Sequence, residues 1–141
     1  MNPRLLAPLI LLALGGNASA ADLEVRLERL RNGKGAVHIC LTRNPAFFPD
    51  CGKDPRAVKR SLAGAAGPIR FNDLEPGSYA LSAFHDENRN GKLDTLVGIP
   101  REGFGFSRNP VIRFGPPRFD QVRIEVAAGF SRQTVRMQYL L

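Results

Sequence analysis

The sequence predicts an antiparallel β-sandwich of about seven strands, an Ig-like or transthyretin-like Greek key. Three observations predict it. Apolar and polar residues alternate at period two through most of the chain. Gly, Pro and Asn turn signals separate the alternating runs. No segment sustains the 3.6-residue period of a packed helix, so strands must build the core.

The first element is not part of that fold. Met1-Asn2-Pro3-Arg4 gives a positive start, Leu5 to Leu14 is apolar apart from Pro8, and Ala18-Ser19-Ala20 supplies small residues. Together they predict a secretory signal peptide over residues 1–20, cleaved before Ala21. The apolar run is too short to span a bilayer, and no later run is long enough to be a transmembrane segment. The expectation is one β-sandwich domain over residues 21–141, monomeric, in the periplasm or secreted.

Leu23, Val25 and Leu27 alternate with Glu24, Arg26 and Glu28 as a first strand. Val37, Ile39 and Leu41 form the next inward face, with His38 and Cys40 opposite. The two runs read as a hairpin turning at Asn32-Gly33. Residues 44–66 are irregular, broken by Pro45, Pro49 and Pro55, and Arg56 to Leu62 suits either a short strand or a helical turn. Ile69 and Phe71 resume the alternation. Pro76-Gly77 fits the centre of a type II turn. Tyr79, Leu81 and Ala83 then share one face and Phe84 takes the other. Residues 95–110 are rich in Gly and Pro and read as a long surface loop. Val122, Ile124 and Val126 form a strand, Gly129 turns, and Val135, Met137 and Tyr139 form the last one.

Cys40 and Cys51 are the only cysteines. In an exported chain such a pair is most simply a disulfide, with two buried thiols as the alternative. Their spacing is not that of a redox-active C-x-x-C pair. Twenty Lys and Arg stand against 13 Asp and Glu. The charges are scattered, and no aromatic residues interleave with the densest cluster, Arg56, Lys59 and Arg60. With the export signal, this argues against nucleic acid as a partner and leaves the charge as a solvated surface or a weak anion-attracting face.

"HDENRNGKLD", His85 to Asp94, carries the strongest chemical signal. Asp86, Asn88 and Asn90 occupy positions 1, 3 and 5 of a D-x-[DN]-x-[DN]-G calcium loop, with Gly91 at the sharp turn. Lys92 offers its carbonyl, Asp94 follows at position 9, and Glu102 can fold back in place of the missing terminal glutamate. Calcium is the cofactor this pattern suggests, held weakly because Arg89 and Lys92 reduce the negative charge. The competing reading is a tight Asn90-Gly91 hairpin turn whose Asx side chains cap it.

The run "LEPGSYALSAFHDENRNGKLDTLVGIPREGFGFSRN" resembles the bacterial family catalogued as domain of unknown function 2141. The matching motifs are Pro76 to Ala80, His85 to Asp94, Gly98 to Ser107 and Pro116 to Phe119. The resemblance implies a small exported bacterial protein and no particular activity. The cysteine pair is not part of the family pattern.

No G-x-S-x-G, H-E-x-x-H or Walker loop is present. The function expected is therefore non-catalytic: a binding or structural module of the cell envelope whose partner is an envelope protein or a glycan. Phe104 and Phe106 are its candidate binding loop, either exposed to a partner or plugging the end of the sandwich. The alternative is a glycan hydrolase using Asp86, Glu87, Asp94 and Glu102 as acid and base.

Overall fold

Two sheets face each other across one core in the computed structural model, which describes residues 19–64 and 67–141. The signal-peptide expectation lies, up to residue 18, outside the described residues. The first sheet has the order β10 (Gly129–Arg136), β1 (Ala21–Glu28), β4 (Ile69–Leu74). The second has the order β3 (Val58–Ala63), β2 (Ala36–Thr42), β5 (Gly77–Asp86), β8 (Gly103–Phe106). β9 (Ile124–Val126) pairs with the first residues of β5. β6 (Thr95–Leu96) and β7 (Ile99–Pro100) make a small separate hairpin.

The period-two faces close as expected. Leu23, Val25, Phe71 and Val135 of the first sheet meet Val37, Ile39, Leu41 and Leu81 of the second, all at most 1% exposed. Fully burying each such side chain contributes about 1.5–3 kcal/mol. On the outer face of the first sheet, Glu24 accepts from the guanidinium groups of Arg26, Arg132 and Arg70. Those bonds, that of Arg26 foremost, hold its carboxyl below the usual range.

The structure corrects the expected connectivity in four places. β1 and β2 are not a hairpin. Both carry an apolar face, and each buries it by standing in opposite sheets, with Arg29 to Gly35 crossing between them. Asn32 shapes that crossing: its Oδ1 accepts from the Lys34 N–H at 2.9 Å and its Nδ2 donates to Glu87 at 2.7 Å. Second, β1 and β10 run parallel, from Ala21 opposite Gly129 to Glu28 opposite Arg136. Third, Val122 closes the helical turn Phe119–Val122 instead of opening the strand, which holds only Ile124–Val126. Fourth, residues 95–110 are not a plain surface loop, for they contain β6, β7 and β8. Of the two options for Arg56 to Leu62, the strand is the one formed.

Cys40 and Cys51 are joined as a disulfide. Cys40 stands on β2 and Cys51 in a 3-10 turn, so the bond ties the irregular segment to the sheet. The Cys40→Ser/Cys51→Ser variant is expected to lose about 2–3 kcal/mol, because the bond restricts mainly the unfolded chain. Urea unfolding of the two proteins checks this.

Candidate functional site

The end of β5 and the turn after it deliver three functional side chains in succession, and the alternation of the strand sends the first two to opposite faces. His85 turns inward and is fully buried. Its Nε2 lies 2.7 Å from the Lys34 carbonyl, which can only accept, so Nε2 carries the proton. Its Nδ1 then accepts from the Tyr139 hydroxyl at 2.8 Å. His85 therefore staples the crossing segment to the C-terminal segment.

Asp86 turns outward and is still only 1% exposed. Its carboxylate accepts from His38 Nε2 at 2.9 Å, from the Asn90 N–H at 3.0 Å and from the Gly91 N–H at 2.8 Å. Burial alone would raise its pKa. The His38, Gly91 and Asn90 bonds overcome that and leave it lowered. Glu87 accepts from Arg31 Nε at 2.9 Å and is also lowered, because that ion pair and the Asn32 bond outweigh burial.

Glu102 reaches back to the backbone of the loop. Its two oxygens accept from the N–H groups of Glu87 at 2.9 Å and Asp94 at 3.0 Å, the residues that bracket the loop. Asn88, Asn90 and Asp94 converge: Asn88 donates to Asp94 at 2.7 Å, and Asn90 donates to it at 2.8 and 2.9 Å. These bonds, that of Asn90 first, lower the Asp94 pKa. Asp86 and Glu102 thus hold the loop's backbone from below, while Asp94, Asn88 and Asn90 gather at its surface. For calcium the fit is partial. The converging set offers one carboxylate and two amides, beside the charges of Lys92 and Arg89. Among the described residues no group of three or more His, Cys, Asp or Glu side chains could hold a metal ion.

The same bonds bear on the hydrolase alternative. A glycosidase acid needs a raised pKa to hold its proton at neutral pH. Asp86, Glu87 and Asp94 are all shifted the other way.

Phe104 and Phe106 are not on an exposed loop. They are 5% and 7% exposed and stand on the outer face of β8. With Val122 and Ala80 they form a second small core, packed by Phe48, Ile112 and Phe119. The alternating glycines explain the strand. A Cβ at Gly103 would lie 2.4 Å from the Tyr139 ring, and one at Gly105 2.7 Å from Val135. Glycine lets the C-terminal segment press against that face and leaves the phenylalanines the other.

The outer face of the second sheet carries what the sequence alone did not reveal. A groove of about 1040 Å³ crosses it, with His38, Ser82 and Phe84 on its floor beside Phe104 and Phe106. One wall is the disulfide-tied segment at Pro49–Gly52, and the other is formed by Gly98–Pro100 and Ile112–Pro116. Lys59, Lys92 and Arg113 line it as well, against Asp50 and the C-terminal Leu141. On the same face His38 Nδ1 lies 2.7 Å from Ser61 Oγ. Ser61, His38 and Asp86 follow the order of a hydrolase relay, but the imidazole is reversed, with the carboxylate on Nε2. In that orientation His38 braces Asp86 and through it the loop. The register of β2 against β5, which places His38 opposite Phe84, is the signal that could have found the pair.

A two-sheet β-sandwich with a groove across one outer face is the class that fold and site define. The family model described as "Uncharacterized protein conserved in bacteria (DUF2141)" matches residues 25–134, and the chain belongs to that family. No curated protein and no solved structure matches the chain.

Proposed function

We propose that the chain is an exported, non-catalytic binding module of the bacterial cell envelope. Its ligand is a small amphipathic anion, an acyl chain with an acidic head. The groove is the observation that carries this reading. Its aromatic floor and Ile99 and Ile112 suit an alkyl chain, and Lys59, Lys92 and Arg113 suit the head group. The chain's net charge of +7 favours the same sign of ligand. Calcium has a supporting part in this reading: bound at Asp94, Asn88, Asn90 and the Lys92 carbonyl, it would pin the loop that carries Lys92 to the groove's edge.

Titration of the protein with oleate by calorimetry tests the proposal. A ligand of about twenty heavy atoms at about 0.3 kcal/mol each gives a Kd on the order of 10–100 μM. Phe84→Asp is expected to weaken binding by about tenfold or more, since it puts a charge on the apolar floor. Arg113→Glu is expected to weaken carboxylate binding and to spare the corresponding alcohol. No saturable heat with oleate, or equal affinity in Phe84→Asp, would sink the reading.

A further inference from the structure

Val97 is the most anomalous residue on the surface. It follows β6 as the first residue of a two-residue turn, with Leu96 paired to Ile99 across it. Val97 and Gly98 have φ of 49° and 77°. Such a turn favours Asn-Gly, since both central residues take positive φ, and a β-branched residue there is strained. Val97 is nonetheless 93% exposed and gains nothing from the protein's own core. Strain held at an exposed apolar side chain calls for a use outside the fold.

A second tip has the same character. Phe114 is 97% exposed and Val111 80% exposed. Both tips border one groove, through Gly98 and Ile99 of the hairpin and Phe114 and Gly115 of the loop. Basic residues flank them: Lys92 and Arg101 beside the hairpin, Arg113 beside Phe114. Of the acids beside the hairpin, Glu102 is buried on backbone amides and Asp94 is held by Asn88 and Asn90.

From this pairing of bare apolar tips with a basic fringe, we infer that the Leu96–Val97 hairpin and the Val111–Phe114 loop dock on an anionic lipid surface. The tips enter the boundary between head groups and acyl chains, and the basic residues meet the phosphates. Each basic residue near such a surface contributes about fivefold to partitioning, so charge and apolar contact are both needed. The docking surface goes beyond the groove ligand and does not depend on it.

The test is flotation of the protein with vesicles of equal parts phosphatidylglycerol and phosphatidylcholine, compared with phosphatidylcholine alone. Residues 21–141, which hold every described strand and the whole core, are used so that the apolar Leu5–Leu14 segment cannot bind vesicles itself. Binding is expected to the anionic vesicles only and to weaken with added salt. Phe114→Asp and Arg101→Glu/Arg113→Glu are each expected to reduce it by about tenfold or more.

Val97→Asn separates this from a purely structural role. It relieves the turn, so the melting temperature is expected to rise by about 4 °C while vesicle binding falls. Val97 does not line the groove, so oleate binding is expected to stay unchanged in this variant. Loss of vesicle binding with oleate binding intact supports docking as a separate property. Failure of the wild type to float, or flotation unchanged in both Val97→Asn and Phe114→Asp, overturns it, whatever the groove binds.

Discussion

Gly35→Ala is expected to destabilise the protein by about 3–5 kcal/mol, a large part of the total stability of a domain this size. Gly35 has φ of +63°, where any Cβ is strained. That cost alone is about 1–2 kcal/mol. The Cβ would also lie 2.0 Å from the Asp86 carbonyl oxygen and 2.7 Å from Glu87 Cα. Both are backbone atoms, so no flexible side chain can give way. β2 and β5 would have to separate where Ala36 pairs with Asp86, at the root of the loop. Gly91→Ala is the control. Its φ is +79° but nothing lies within 4 Å of the new Cβ, so only the conformational cost of about 1–2 kcal/mol applies. Urea unfolding of the two variants measures the difference. Equal losses would mean that the close approach of Gly35 to β5 is not what fixes the root of the loop.

That contact shows why the sequence is legible in some places and opaque in others. Period two fixes which side chains enter the core, and Leu23, Val25, Val37, Ile39, Leu41 and Leu81 all do. The period carries no information on which strand lies beside which. An Asn32-Gly33 turn between two good strands looks like a hairpin whether the chain folds back or crosses to the opposite sheet. The parallel pairing of β1 with β10 joins residues more than a hundred positions apart, and no local signal encodes it. The GFGF run had its period in plain sight. Its inward face is glycine, so an alternation that counts only apolar side chains reads it as loop. The loop at Asp86 was legible as oxygen-rich and well turned. What its carboxylates do was legible only in part, because some of the donors that hold them arrive from outside the loop: His38 from another strand onto Asp86, Arg31 and Asn32 from the crossing segment onto Glu87. The groove arises where separate segments, Pro49–Gly52, Gly98–Pro100 and Ile112–Pro116 among them, stand over one sheet face, and each of them taken alone is ordinary surface.

Asp86→Ala is expected to cost about 3–5 kcal/mol near neutral pH, because it removes a buried carboxylate, leaves His38 Nε2 and the Gly91 N–H without their acceptor, and leaves the Asn90 N–H only Asn88 Oδ1. The pH dependence follows from the direction of its shift. The folded pKa lies below the ordinary value of 3.8, so the unfolded chain takes up the proton first as pH falls. The stabilisation is fully present above the unfolded pKa of about 3.9 and is lost as pH drops through the folded one. Glu24, Asp54, Glu87 and Asp94 are shifted the same way and add to the loss. Thermal melts of the wild type between neutral pH and pH 2 are expected to fall steeply at the acid end. The Asp86→Ala curve should start lower and fall less, and the two should draw together where Asp86 is protonated in both states. Parallel curves would show that the carboxylate's charge does not hold the loop. Calcium added at neutral pH separates this bracing from a metal role, because Asp94, not Asp86, is the carboxylate at the loop's surface. A rise in wild-type melting temperature that Asp94→Ala abolishes would carry the calcium reading. No rise up to several millimolar, above the weak extracellular range of about 10⁻⁴–10⁻³ M, would end it. In that case the loop is held by its own hydrogen bonds, with His38 on β2 and Glu102 just ahead of β8 supplying the support that a cation gives in loops of similar sequence.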